Sequence, residues 1–145
     1  MFKTILVPTD GSALSGKAVD AAIAFAKFND GKVISLSVAG PYPFMPLAEN
    51  SMATDPRVYE ENMRELAQQH VQKVADTAKN AGVPCETYIA QSFHPYEEII
   101  NIAKKYECDV IFMASHGRKG LSKLFVGSET QKVLAHSTIP VLVFR

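Results

Sequence analysis

The chain has 145 residues, 47% hydrophobic and 21% charged, which suits one soluble globular domain spanning residues 1–145 with a real core. Fifteen basic residues balance fifteen acidic ones; this excludes the basic excess of a general nucleic-acid binder and offers no attraction to an anionic membrane surface. The two cysteines, Cys85 and Cys108, stand outside any CxxC or HxxxH spacing, so they form no metal cluster and read as free thiols of an intracellular protein.

Met1-Phe2-Lys3-Thr4 leads directly into an apolar run, without the charged start, apolar core and cleavage site of a secretory leader. No apolar run approaches the ~20 residues of a membrane helix. The expectation is a cytoplasmic protein. Ile5-Leu6-Val7 is continuous rather than alternating, as in a strand buried on both faces, and Pro8-Thr9-Asp10-Gly11-Ser12 ends it in a turn. Leu14, Ala18, Ala21, Ala22 and Phe25 then recur at helical spacing, with Lys17, Asp20 and Lys27 opposite, until Asn29-Asp30-Gly31 stops the helix.

Val33 to Val38 reads as a second strand. A long loop from Ala39 to Pro56 follows, with four prolines at 41, 43, 46 and 56, and long loops often serve as lids or binding loops. Tyr59, Met63, Leu66, Val74 and Ala78 trace a helical stripe that Gly82-Val83-Pro84 ends. Glu86 to Ala90 is a third strand. His94-Pro95 opens a helix with proline in its first turn, burying Tyr96, Ile99, Ile100 and Ala103. Asp109 to Ala114 is a fourth strand, a glycine-rich loop leads to a helix over Ser128 to His136, and Pro140 to Phe144 is a fifth strand. Strands alternating with helices predict an α/β fold: a single doubly wound, Rossmann-like domain with a five-stranded parallel sheet flanked by four helices.

In such sheets ligands bind beyond the C-terminal strand ends, where the strand order reverses. The loops after strands one and four carry the notable residues, and they face one crevice if those strands are neighbours. In the segment from Ala114 to Thr130, Gly117, Gly120 and Gly127 let the backbone approach a ligand. Gly127-Ser128 opens a helix whose first N–H groups favour an anion, and Arg118, Lys119 and Lys123 add positive charge. A polyphosphate fits this pattern. So does a plain strand–loop–helix connection, since Ser128 with Gln131 also matches a helix capping box.

Three other patterns carry less. Gly11 to Ala18 nearly matches a P-loop, but Ala18 stands where a Mg²⁺-holding Ser or Thr belongs and Lys17 falls on the polar helix face. Ser115-His116 lacks a GxSxG elbow, and side chains adjacent on a loop are not expected to face each other as nucleophile and base. Glu97-Glu98 suits the first turn of a helix rather than an acid–base pair.

Taken together, the opening Ile5 to Ser12, the tail Ile139 to Val143 and the glycine spacing resemble the universal stress protein family in its ATP-binding branch, over the whole chain. The family pattern is Gly, two residues, Gly, nine residues, then Gly followed by Ser or Thr. Here Gly117, nine residues and Gly127-Ser128 match, while Ala114 occupies the first glycine position.

The resemblance implies that Pro8, Thr9 and Asp10 lie near the adenosine, with Asp10 toward the ribose. It implies that Val38 meets the adenine through its backbone and that Met113 and Ala114 line the nucleoside pocket. Gly117, Gly127, Ser128, Glu129 and Thr130 would surround the phosphates, the last two through backbone or hydroxyl groups. Charge, rather than the resemblance, adds Arg118. Mg²⁺ would accompany ATP, with Asp10 its candidate contact through the nucleotide. The resemblance also implies a homodimer through Val141 to Phe144. The expected function is an ATP-binding regulatory or stress-response protein with slow hydrolysis at most. The alternative is a dimeric interaction module that uses no nucleotide, which Ala114 favours. A nucleotidyl-transferring enzyme would need an HxGH-type motif that the chain lacks.

Overall fold

The computed structural model describes residues 1–43, 55–117 and 126–145. Its elements are β1 (Thr4–Pro8), α1 (Ala13–Asn29), β2 (Lys32–Ala39), α2 (Pro56–Ala81), β3 (Cys85–Gln91), α3 (Pro95–Lys105), β4 (Val110–Ala114), α4 (Ser128–His136) and β5 (Val141–Phe144). All five strands run parallel in the order β3-β2-β1-β4-β5. The predicted α/β sheet with four helices is the observed fold.

Alternate residues of each central strand feed two separate cores. Ile5 and Val7 of β1, with Val33, Val110 and Phe112, pack against Ala18, Val19, Ala22, Ile23 and Ala26 of α1 and Val74 and Ala78 of α2. Leu6, with Ile34, Leu36, Ile111 and Met113, packs against Ile99 and Ala103 of α3 and Val133 of α4. The complete burial of Ile5, Leu6 and Val7 is why that run shows no polar alternation.

Local chemistry sets the helix ends. Ser12 caps α1, its hydroxyl accepting from the Ser15 N–H, and Asp30 ends the helix in a left-handed conformation at φ 53°. Gly31 follows because a Cβ there would meet the Lys3 carbonyl oxygen. Asp55 caps α2, Pro56 occupies its first turn, and Gly82 at φ 74° closes it.

Three predicted faces differ from the structure, and on α3 only Ile99 and Ala103 are buried, Tyr96 and Ile100 being half-buried. On α1, Phe25 is 37% exposed rather than core, its ring meeting Phe112 edge-on at 5.7 Å. The deeper stripe sets Ala18, Ala22 and Ala26 beside Val19 and Ile23. On α2, Tyr59, Met63 and Leu66 are only partly covered, and the buried residues are Ala67, Val71, Val74 and Ala78. A helix of 26 residues spans about 39 Å, longer than the strands beneath it, so its N-terminal half overhangs the sheet.

β1 neighbours both β2 and β4. The chain moves from β1 outward to β3, then returns past β1 to β4, so the strand order reverses between β1 and β4. At the far side, β5 is an edge strand with Leu142 48% exposed. Among the described residues no helix is long and apolar enough to cross a membrane. The centre of the proline-rich loop, and Arg118, Lys119, Gly120 and Lys123, lie outside the described residues.

Candidate functional site

The strand reversal opens a cleft of about 590 Å³ above the C-terminal ends of β1, β2 and β4. Its first wall is the turn after β1. Thr9 is fixed by its N–H donating to the Leu36 carbonyl at 2.8 Å. Gly11 turns the chain at φ 76°, and its N–H donates to Thr9 Oγ1 at 3.2 Å. The Ser12 N–H donates to Asp10 Oδ1 at 3.0 Å, which holds the Asp10 carboxylate in a side-chain-closed turn. Ser15 is buried, with its Oγ 3.2 Å from Thr9 Oγ1. Gly16 and Lys17 lie inside α1, so the P-loop-like spacing is part of a helix and not a phosphate-binding loop.

The second wall follows β4. The Ser115 N–H donates to the Phe144 carbonyl at 2.7 Å, and the Ser115 carbonyl accepts from the Gly127 N–H at 2.7 Å. This joins the start of α4 to the end of β4. A Cβ on Gly127 would stand 3.1 Å from that same carbonyl oxygen and 3.5 Å from the His116 Cα. Gly127 has φ −60°, which any residue adopts, so close approach and not backbone freedom selects glycine there.

Ser115 and His116 do face each other, against the expectation for loop neighbours: Oγ and Nδ1 are 2.8 Å apart. Ser115 is buried, and a hydroxyl proton there needs an acceptor. The tautomer sets which of the two donates: with Nδ1 accepting from the hydroxyl, the ring proton sits on Nε2. That Nε2 is buried and has no hydrogen-bond partner among the described residues.

The α4 N-terminus differs from a capping box. Gly127 is the N-cap, Ser128 is the first helical residue, and no side chain caps the helix. Gln131 instead donates from Nε2 to the Val126 carbonyl at 2.6 Å. The first intrahelical bond runs from the Gln131 N–H to the Gly127 carbonyl, so the N–H groups of Ser128, Glu129 and Thr130 have no acceptor within the helix.

Two side chains expected near phosphate are otherwise engaged. Thr130 is buried and its hydroxyl donates to the Ala114 carbonyl at 2.9 Å. Glu129 Oε2 accepts from the Tyr96 N–H at 2.9 Å and Oε1 pairs with Lys132 at 3.1 Å. Glu129 thus caps α3, whose own N-cap, His94, makes no side-chain capping bond. Next to it, the Tyr96 phenol donates to Glu97, which raises its pKa above the ordinary tyrosine value.

Of the sequence-predicted site residues, Pro8, Thr9 and Asp10 line the cleft from the β1 turn, Val38 from β2, and Met113 and Ala114 from β4. Gly117 closes toward Asp10, and Gly127, Ser128, Glu129 and Thr130 complete the α4 side. Arg118 lies outside the described residues. Leu36, Phe93, Pro95 and Ile99 also line the cleft and were not singled out in the sequence. Leu36 and Ile99 read there simply as core. Phe93 and Pro95 follow a strand end, a position that could have drawn attention. Among the described residues no group of three or more His, Cys, Asp or Glu could hold a metal ion.

All of residues 1–145 match the model of the universal stress protein family. Universal stress protein MJ0531 of Methanocaldococcus jannaschii is 34% identical, covering 100% of this chain and 83% of its own. The solved structure of MJ0577, from the same organism, is 29% identical with a TM-score of 0.76, covering 99% of this chain and 96% of its own. A universal stress protein solved in complex with cAMP shares the fold at TM-score 0.71 and 24% identity, covering 99% of this chain and 97% of its own.

Proposed function

This chain belongs to the universal stress protein family, and we propose that it binds ATP in the cleft between its β1 and β4 loops as a regulatory or stress-response protein. The observation that carries this reading is the meeting, in one cleft, of an uncapped helix N-terminus with the buried Nε2 of His116, which has no hydrogen-bond partner among the described residues. The helix end presents N–H donors where an anion would sit, and a buried ring nitrogen left unpaired is costly unless a ligand pairs with it. The close approach at Gly127 keeps this cradle open, since a side chain there would push α4 away from Ser115.

The residues present fit a nucleotide. Pro8, Thr9, Asp10, Val38, Met113 and Ala114 would hold the adenosine. Gly117, Gly127, Ser128, Glu129 and Thr130 would hold the phosphates, Glu129 and Thr130 through their backbone N–H groups, since the Glu129 carboxylate caps α3 and the Thr130 hydroxyl proton goes to Ala114. Arg118 is proposed as a further phosphate partner on charge alone. Mg²⁺ would arrive with the nucleotide and neutralise phosphate charge, facing Asp10. The cAMP held by one relative supports a nucleotide as the ligand class.

Hydrolysis is proposed to be slow. The Glu129 carboxylate is committed to Tyr96 and Lys132. With Nδ1 accepting from Ser115, His116 Nε2 would donate to a phosphate oxygen rather than take a proton from water. The protein is further proposed to work in the cytoplasm as a homodimer. The exposed edge of β5, Val141 to Phe144, would pair antiparallel with its copy across a two-fold axis.

Ala114 in place of a glycine favours a second reading, a dimeric interaction module without nucleotide. Denaturing the purified protein and separating what it releases by chromatography distinguishes the two. Released ATP supports the first reading. No nucleotide, together with no binding of added millimolar ATP and Mg²⁺, leaves the second.

A further inference from the structure

We propose that Phe93 is the stacking wall for the nucleobase, so that the cleft selects a base-bearing polyphosphate over polyphosphate alone. This rests on the nucleotide-binding reading above and names the residue that would confer its specificity. Phe93 is 62% exposed, yet it lines the cleft, and it has no aromatic partner among the described residues. A single exposed phenyl ring is ordinary on a protein surface, as Phe28 at 89% exposure shows. Phe93 differs in that its backbone is held on both sides while its ring is left uncovered. The Ser92 N–H donates to the Ala39 carbonyl at 3.1 Å, extending the β2–β3 ladder by one step. The His94 N–H donates to Ser92 Oγ at 3.0 Å, and Pro95 then fixes the entry to α3. A ring on a pinned turn gives a stacking surface at little further conformational cost on binding.

Register places Phe93 at the β3 end of the cleft. Ala39 pairs with Gln91, so Phe93 lies two residues past the end of the β2–β3 ladder, and it lines the cleft together with Val38. Leu36, Val38, Ile99 and Met113 supply the apolar floor there. The N–H groups at the start of α4 face the same cleft. The cleft therefore combines an apolar floor that suits a flat aromatic base with donors that suit its phosphates.

The test compares Mg²⁺-ATP with Mg²⁺-tripolyphosphate on the full chain. Phe93→Ala should weaken ATP binding about tenfold, within the range that base–aromatic stacking supplies, and leave tripolyphosphate binding unchanged. Phe93→Leu should resemble Phe93→Ala, because it keeps apolar area but loses the π-face. The chain has no tryptophan, so Phe93→Trp introduces a single reporter. Its emission should be quenched by ATP and not by tripolyphosphate. Equal ATP affinity in wild type and Phe93→Ala, with no quenching of the Trp variant by bound ATP, overturns this inference and leaves nucleotide binding intact. Failure of the wild type to bind ATP overturns both.

Discussion

The carboxylate of Asp10 occupies the space a side chain on Gly117 would need: Oδ2 lies 2.9 Å from where that Cβ would stand. The two residues are far apart in sequence, and only the adjacency of β1 and β4 brings their loops together. Gly117 is not required by a left-handed backbone, because the positive-φ glycines among the described residues are Gly11 and Gly82. Asp10 cannot simply swing aside, since its Oδ1 accepts the Ser12 N–H.

The pair predicts coupling. Gly117→Ala should displace the Asp10 carboxylate, costing about 1 kcal/mol of stability by overpacking and weakening nucleotide binding. In an Asp10→Ala background the same change should cost at least ~0.5 kcal/mol less, the scale of coupling between residues in contact. Melts of the four proteins measure this cycle. Strictly additive costs would mean that Asp10 is not what constrains position 117.

Glu129 ties α4 to α3, and its removal should destabilise the fold. Glu129→Ala removes the acceptor for the Tyr96 N–H and should cost about 1 kcal/mol, a typical helix-cap loss, lowering Tm by about 4 °C. Lys132→Ala removes only an exposed ion pair and should change stability by less than about 0.5 kcal/mol. Equal effects from the two variants would assign the stabilisation to the ion pair instead.

Both thiols should be inert near neutral pH. Burial first, then Glu86, pushes the Cys85 thiol from its ordinary 9.0 up to about 11. Burial first, then mainly Asp109, does the same to Cys108. At pH 8 iodoacetamide should label the native protein slowly and the urea-unfolded protein fully. Because the unfolded thiols ionise first, near pH 9, stability should fall as pH rises from about 9 to 11. A denaturation midpoint flat across that window would contradict this.

Much of the fold was legible because its signals are local. Ile5 to Val7 announces a buried strand, and Asn29-Asp30-Gly31 and Gly82-Val83-Pro84 stop helices for stereochemical reasons. The faces of α1 and α2 were less legible. Alanines such as Ala18 and Ala26 carry a weak hydrophobic signal, and the overhang of α2 depends on strand lengths elsewhere. At the site, glycine spacing marked Gly117 and Gly127, but the reason for each is a distant atom, Asp10 Oδ2 and the Ser115 carbonyl. The Ser115–His116 contact and the capping of α3 by Glu129 also come from tertiary geometry, which no spacing rule encodes.

Turnover separates a binding protein from an enzyme at this site. With the Glu129 carboxylate engaged by Tyr96 and Lys132, phosphate release from Mg²⁺-ATP should be more than about a hundredfold below the ~10 s⁻¹ typical of enzymes. A rate near that typical value would contradict this and make Asp10, the other carboxylate lining the cleft, the candidate base.

The central claim is that the Gly127 approach holds open a cradle for ATP, and a thermal melt with Mg²⁺-ATP tests it most directly. Ligand at about 100 times its dissociation constant adds ~2.7 kcal/mol, which should raise Tm by roughly 5–10 °C. Gly127→Val, whose side chain would meet the Ser115 carbonyl, should fold with a lower Tm and show no rise. A wild-type melt unmoved by millimolar Mg²⁺-ATP in protein freed of nucleotide, or an equal rise in Gly127→Val, would contradict the account.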